Sequence, residues 1–521
     1  MIKQEIRQLI KKKFKQEAKL ERPLNSEFGD YSTNLAMQAK IDPDEIIEQL
    51  KDNPLFAKIE KAGPGFINFF LSEKALQDEL KEILKSEENY GNLDIGQKKK
   101  VQVEFISANP TGPLTVANAR GGPLGDVLAN VLNKAGFKTE KAYYVNDYGQ
   151  QIIVLGHSVL KDGQGKYQGD YIDSLAEEIS ARGGLANRSD TAKAGQIAAK
   201  YIIKDLIQRT TDKMGIKYDE WIFESDLYQS GRVDKVLDFL KEKGLIYLKE
   251  KAQWFKSSQF GDRRDRVMVK GDGSKTYLAG DIALHNYKFK DKKFDKVINI
   301  WGADHHGDIA GLMAGVEAIG DKGKLEIILL QFVTILEKGE KRKMSKRAGI
   351  YVTMDELLEK AGKDATRFFF LQKSSDTHLN FDINLAQEQS SKNPVYYIQY
   401  AHARICSILR KAEKEGFKPS RFDIESSRSN LKLNHPAEIS LIKELIKLPE
   451  TIEDIAQDYQ VQRLPYYSQE VANKFHQFYE QCRVIGMGRE LTQARLGLIK
   501  AVQIVLKNTL ELMGISAPEK M

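Results

Sequence analysis

Residues 101–145 contain the stretch VQVEFIS, a Gly/Pro-rich turn, a helical run over residues 120–134 and a second strand-like stretch, KTEKAYYV. Strand, loop, helix and strand in that order open a doubly wound nucleotide-binding domain, because a crossover helix must carry the chain back to a parallel neighbour. The alternation resumes at TYLAGDIALH and KVINIWGADHHG and ends near residue 375. A chain of 521 residues exceeds one ordinary core, so three or four domains are expected.

The flanks have different patterns. Residues 1–95 read as a small α/β unit: a basic amphipathic helix opens it, and AGPGFINFFLS, residues 62–72, reads as a buried strand. A charged, glycine-containing stretch over residues 86–100 is the boundary. Residues 96–380 hold the Rossmann-type domain, in which a mixed stretch at about 150–265 reads as an insertion. From 381 to 521 apolar spacing is helical, as in NPVYYIQYAHARICSILRKAEK. An all-α bundle with a polar loop over residues 413–436 is expected there.

Composition excludes several classes. No apolar stretch is long enough to span a bilayer, and MIKQEIRQLIKKKFKQ lacks a signal-peptide core, so no membrane partner and a cytoplasmic location are expected. Two cysteines, Cys406 and Cys482, supply neither a disulfide framework nor a cysteine-based metal site. The formal net charge of +7 permits an RNA partner without requiring one.

Two loops carry chemistry. SANPTGPLTVANARGG, residues 107–122, lies between a strand and a helix. Its glycines and prolines allow close backbone approach, and the following helix points N–H groups at a phosphate. Alone, it is equally a tight surface turn, and it lacks the Walker triplet. KGEKRKMSKRAG, residues 338–349, has six Lys or Arg. Alone, that is a solvated face; two lysines reaching one triphosphate would instead neutralise the charge that develops as pyrophosphate leaves.

Together the loops resemble the HIGH and KMSKS signatures of class I aminoacyl-tRNA synthetases, with Lys343-Met344-Ser345-Lys346 matching the second directly and Arg347 in its last place. The surrounding order is similar to the arginyl family in particular. VEFISANPTGPL, YVNDYGQQI, TYLAGDIALH, WGADHHG and VTMDELL follow one another along the middle of the chain, EFGDYSTNLAM and AGPGFINFF precede them, and NPVYYIQYAHARI and ISAPEKM close it. The resemblance implies an α/β class I catalytic domain with an insertion, a small N-terminal tRNA-contacting α/β domain and an all-α anticodon-binding bundle. It implies an arginine–tRNA ligase, taken to be a monomer, whose partners are arginine, ATP and the tRNA for arginine. Magnesium would be bound chiefly by ATP, with no structural metal. A catalytically silent tRNA-binding paralogue of the same fold is the second reading.

In this family arginine's carboxylate attacks the ATP α-phosphate, and a terminal ribose hydroxyl of tRNA then takes the arginine, so the enzyme's task is positioning and charge stabilisation. By resemblance, Lys343 and Lys346 meet the phosphates. Pro110, Thr111, Gly112, Thr115, Ala117, Asn118, Met344 and Ser345 complete the ATP site. Asp281 and Tyr277 in TYLAGD match the arginine pocket, Glu224 in YDEWIFES resembles its second carboxylate, and Ser107 and Asn109 hold the amino-acid end, with Asn118 and Asp304 also assigned to arginine. Paired carboxylates suit a planar guanidinium. Asp281 has an alternative reading as a helix cap, Glu224 as a loop residue, and Glu104 as a structural partner. His305 and His306 beside Asp304 make a poor ligand set for a metal.

The first signature departs from the family. Where it usually shows His–x–Gly–His, this chain has Thr115-Val116-Ala117-Asn118, similar to the Thr–x–Gly–Asn form of tryptophanyl-tRNA synthetases. Thr115 and Asn118 retain hydrogen-bond donors in place of imidazoles, whereas Ala117 puts a methyl group where the adenine ordinarily meets glycine. For anticodon bases, RLPYYSQEVANKFHQFYEQCR offers Tyr466, Tyr467, Phe475, Phe478 and Tyr479 beside Arg463, Lys474 and Arg483. Helical spacing sends most of these aromatics to the core.

Overall fold

The structure, a computed structural model, describes residues 1–181, 190–342, 352–417 and 433–521. The first helix, Ile2–Phe14, buries Ile2, Ile6 and Ile10, one row at i, i+4 spacing. Strands β1 (Tyr31–Thr33), β2 (Phe56–Ala62) and β3 (Phe66–Leu71) make an antiparallel sheet in the order β1-β3-β2. AGPGFINFFLS is therefore not one strand but the turn and second arm of a hairpin. Gly63 and Gly65, at φ 53° and 138°, reverse the chain where a side chain would be strained.

Strands β4 (Lys100–Glu104), β5 (Lys138–Val145) and β6 (Glu220–Phe223) pair in parallel. Strands β7 (Ile246–Lys249), β8 (Ala252–Phe255) and β9 (Arg266–Val269) form a separate antiparallel sheet. Strands β10 (Lys296–Gly302) and β11 (Leu325–Leu330) complete the main sheet, in the order β11-β10-β4-β5-β6. The strand order reverses between β4 and β10, which makes the crevice beyond their carboxyl ends the place where such sheets bind ligands. Because β6 pairs with β5, the sheet runs through the stretch read as an insertion. What stands off the sheet is a helical insert, described over residues 150–181 and 190–213, with its own apolar cluster beneath Tyr143 and Val145.

KTEKAYYV coincides with β5, but VQVEFIS stops being a strand at Glu104. Ile106 and Ser107 have φ 66° and 42°, a left-handed conformation that costs energy for a β-branched residue and gathers at functional loops. The helix Gly121–Lys134 is buried nearly all round, since it lies between the sheet and the C-terminal helices.

Strands β12 (Val333–Glu337), β13 (Glu340–Lys341) and β14 (Leu379–Asp382) form a small sheet, with β12 parallel to β14 and antiparallel to β13. The C-terminal region comprises the helices Pro394–Lys414, Pro436–Leu445, Leu448–Asp458, Arg463–Gln481 and Arg489–Leu512. Asn393 caps the first of them by accepting from the Val395 N–H, with Pro394 at the first helical position. Much of the loop expected at 413–436 lies outside the described residues. One apolar cluster runs from Ile2 through Val101 and Leu128 to Phe475 and Leu510, so the two ends of the chain share a core. Among the described residues no helix is long and apolar enough to cross a membrane.

Candidate active site

Of the expected residues, those described lie on the loop after β4, at the start of the helix after β6, on the helix Tyr277–Asn286 and on the turn after β10. After β4, the Ser107 hydroxyl accepts from the Tyr144 N–H at 3.0 Å and faces Glu104 at 3.5 Å. Glu104 is buried and receives the equally buried Lys288 ammonium at 2.5 Å. The structural reading of Glu104 thus has a named partner. Asn109 is exposed, and its carbonyl accepts from the Thr111 N–H at 2.8 Å. Pro110 is buried and Thr111 and Gly112 are half-buried.

Glu224 opens the helix Glu224–Gln229 directly after β6 and is buried, not part of an exposed loop. Asp281 sits on the second turn of the helix Tyr277–Asn286, which begins at Tyr277, so it does not cap that helix. Glu224 lies against the helix that carries Asp281: a methyl group on Gly280 would stand 3.3 Å from Glu224 Oε1 and 3.5 Å from the Tyr228 hydroxyl. Burial, then the charges of Asp281 and Asp147, push Glu224 up to about 8. Burial, then the charges of Glu104 and Asp308, push Asp281 up to about 7, with Lys288 pulling it down. Glu224 Oε2 is buried with no hydrogen bond of good geometry, and the buried Tyr144 side chain lies near enough to this carboxylate to pull its pKa down. A buried carboxylate raised by the charge of a second one suits a cation that brings several N–H donors.

Tyrosines stand near Glu224. Tyr148 stacks on Tyr228 at 4.1 Å between ring centroids, and Tyr277 is exposed. Sequence reasoning missed this stack, because the rings come from two elements 80 residues apart. It also missed His285, buried on the face below Asp281. His285 Nδ1 lies 2.7 Å from the Asp281 carbonyl and Nε2 lies 2.9 Å from Asn299 Nδ2. Burial, then Lys288, hold its pKa down to about 3, so it is a neutral ring whose Nδ1–H donates to that carbonyl. Asp147 was legible only as part of YVNDYGQQI; buried, it accepts from the Ser225 N–H and hydroxyl and so orients the residue after Glu224.

Thr115 and Asn118 meet each other. Thr115 caps the short helix Val116–Ala119, accepts from the Asn118 N–H at 3.3 Å and donates to Asn118 Oδ1 at 2.5 Å. The two side chains are therefore not two independent free donors: the Thr115 hydroxyl is spent on its neighbour, which leaves the Asn118 amide N–H₂ to face outward. Ala117 and Asn118 are exposed. Behind them, buried Arg120 donates to the carbonyls of Gln331, Phe332, Ser374 and Thr377, and burial lowers its pKa to about 10.

Lys343, Met344, Ser345 and Lys346 lie outside the described residues. The chain returns beside the first loop all the same. The Val116 N–H donates to the Val352 carbonyl at 3.2 Å, the Met354 N–H donates to the Leu114 carbonyl at 2.8 Å, and Thr115 bridges Thr353. Asp304 is on an exposed turn after β10, with its side chain 70% accessible. His305 stands 4.0 Å from Asp304 and 3.6 Å from Asp308.

On the C-terminal helices, Tyr467, Phe475 and Phe478 are buried, as their spacing requires, and Tyr466 is 53% exposed. A second aromatic group joins Tyr479, which the sequence offered, to residues it did not single out. Arg404 lies over the rings of Tyr400 and Tyr479 at 5.9 and 4.3 Å, and Tyr396 stacks on Tyr400.

Three family profiles match the chain in order. They are "Arginyl tRNA synthetase N terminal domain" over residues 1–71, "tRNA synthetases class I (R), catalytic domain" over 79–177 and 185–408, and "DALR anticodon binding domain" over 398–521. The arginine–tRNA ligase of Acetivibrio thermocellus is 43% identical over 529 residues, covering 96% of this chain and 93% of that protein. That of Bacillus subtilis is 42% identical over 532 residues, covering 96% and 94%. The Thermus thermophilus arginyl-tRNA synthetase structure superposes with a TM-score of 0.79 over 100% of this chain and 99% of its own; at 23% identity it speaks for the fold alone. With one profile over more than half its length and these relatives over nearly all of it, the chain belongs to the arginyl-tRNA synthetases of class I.

Proposed function

We propose that this arginyl-tRNA synthetase, an ATP-dependent arginine–tRNA ligase, selects arginine by placing its guanidinium between Glu224 and Asp281. The observation that carries this is the buried Glu224 carboxylate, held against the helix of Asp281 and raised by that residue's charge. A guanidinium relieves that repulsion with directed N–H donors, which a lysine ammonium or an uncharged side chain matches less well. Tyr148, Tyr228 and Tyr277 offer ring faces for its planar cation. Ser107 and Asn109 hold the amino-acid end of the substrate.

The nucleotide takes the crevice over residues 110–118, where the Asn118 amide is placed to donate to a phosphate. Lys343 and Lys346 neutralise the charge that grows as arginine's carboxylate displaces pyrophosphate from the α-phosphorus. Magnesium enters on the nucleotide's phosphates. The second step passes arginine from the adenylate to a terminal ribose hydroxyl of tRNA. The Tyr400, Arg404 and Tyr479 group has the form of a stacking platform for unpaired bases. Three domains, 1–95, 96–380 and 381–521, share the work, in a monomer acting in the cytoplasm. No comparison favours a catalytically silent paralogue.

Asp281→Ala tests the pocket. Leaving one partner of a buried pair unmatched costs about 3–5 kcal/mol. Arginine-dependent ATP–pyrophosphate exchange should therefore fall several hundred-fold or more, with tRNA affinity unchanged. Near-normal arginine activation would refute the assignment.

A further inference from the structure

We propose that Tyr171, on the helical insert, is a positioning residue for the nucleotide loop, and that Gly112 is glycine so that this tyrosine can seat there. The proposal rests on the reading of residues 110–118 as the ATP loop. That loop has few internal bonds, and the described contacts tie it from three directions. The Tyr143 hydroxyl, from β5, donates to the Ala108 carbonyl at 2.9 Å. The returning segment, residues 352–354, pairs with Leu114 and Val116. Between these, the Tyr171 hydroxyl donates to the Thr111 carbonyl at 2.9 Å.

Tyr171 belongs to neither the sheet nor the returning segment. It is the second residue of the helix Asp170–Ala181 and packs with the insert's separate apolar cluster. The seat is close. A methyl group on Gly112 would stand 3.2 Å from the Tyr171 hydroxyl oxygen and 3.3 Å from Cζ, so the ring would have to give by a few tenths of an ångström at the atom that holds Thr111. The insert also reaches the far side of the crevice. Thr210 and Lys213 both donate to Asp355 at 2.5 Å, one residue past the returning segment. One body outside the sheet thus grips both edges of the crevice. Hydrogen-bond donation to a developing charge depends on placement, so a loop that slackens by this much loses turnover before it loses arginine binding.

The test is a double-mutant cycle read in arginine-dependent ATP–pyrophosphate exchange with tRNA present. Tyr171→Phe keeps the ring and removes the donor; its exchange turnover should fall by about tenfold with the arginine KM within about twofold of wild type. Gly112→Ala should be more damaging in the wild-type background than in Tyr171→Ala, where the obstructing ring is gone, so the two losses should be less than additive. A role only in holding the insert folded would lower the melting temperature and affect arginine KM and turnover together, and that result overturns the proposal. Tyr171→Phe turnover within about twofold of wild type, or strictly additive losses, also overturns it. Asn118→Ala is measured alongside: if it too leaves exchange unchanged, the ATP-loop reading itself has failed, whereas a damaged Asn118→Ala beside an unaffected Tyr171→Phe sinks the tyrosine's role alone.

Discussion

Glu224 and Asp281, with pKa values pushed up to about 8 and about 7, are held partly protonated near neutral pH in the unliganded protein. Both lie above the ordinary carboxylate range of about 4, so their contribution to stability is present below that range and is lost as pH rises through about 7 to 8. A bound guanidinium favours the ionised forms. Arginine affinity should therefore rise from pH 6 to pH 8, and binding near pH 7 should release protons, which calorimetry in buffers of different ionisation enthalpy will count. Arginine should also raise the melting temperature more at pH 8 than at pH 6; an equal rise at both would count against the pair. The donors at Asn118 and Thr115 behave differently, because neither titrates. Asn118→Ala should cut exchange turnover roughly ten- to thousand-fold at constant ATP affinity. Thr115→Val, which loses the bond that orients the amide together with the helix cap, should cut it less. A larger loss from Thr115→Val than from Asn118→Ala would reverse those roles.

The helical insert depends on one close crossing. A methyl group on Gly156 would stand 1.8 Å from the Thr191 carbonyl oxygen, and one on Gly195 would stand 1.9 Å from the Ile152 oxygen, so the helices Gln150–Leu160 and Thr191–Tyr201 touch backbone to backbone. Nothing but glycine fits there without moving a helix. Gly156→Ala should destabilise the insert by about 1–3 kcal/mol or more, as overpacking does. Limited proteolysis should then cut within residues 150–213 well before the sheet melts. Cleavage no faster than in wild type would mean that the crossing relaxes freely. Exchange turnover should fall in parallel, since Tyr171 rides on this element.

Across the whole molecule, the N-terminal unit is tied to the C-terminal helices by buried polar groups. Glu450 accepts from Arg22 Nε at 2.9 Å, Arg22 Nη2 at 2.8 Å and the Tyr31 hydroxyl at 2.5 Å. Arg7 reaches Glu453 at 2.9 Å, and Lys443 reaches Asp30 at 2.7 Å. Glu450→Ala strands the Arg22 guanidinium, whose pKa Tyr31 and the carboxylate together hold up against burial, and should cost about 3–5 kcal/mol. Hydrogen exchange should quicken across residues 1–95 while the parallel sheet keeps its protection. Unchanged exchange in that unit would show that the shared apolar core alone holds the ends together.

Local pattern was enough for much of this. The period of KTEKAYYV, the single apolar face of residues 2–14 and the helical spacing after residue 394 are properties of neighbouring residues, and they survived folding because each element buries the face its sequence makes apolar. The loops, and the carboxylates at 224 and 281, were legible through resemblance, since both are short contiguous strings. What local pattern misjudged was where chemistry interrupts it. VQVEFIS ends early because the chain bends left-handed into the site at Ile106 and Ser107, and AGPGFINFFLS breaks at glycines whose role is the turn. The raised carboxylates, the Thr115–Asn118 bond, the Tyr148–Tyr228 stack, the Tyr171 seat on Gly112 and the tie between the chain's ends were decided only in three dimensions. Each joins side chains through a hydrogen bond, a charge or a contact within a few ångströms, and outside the Thr115–Asn118 pair the partners are tens to hundreds of residues apart. Burial and the field of a neighbouring charge depend on distance through space, which a linear order of residues does not contain.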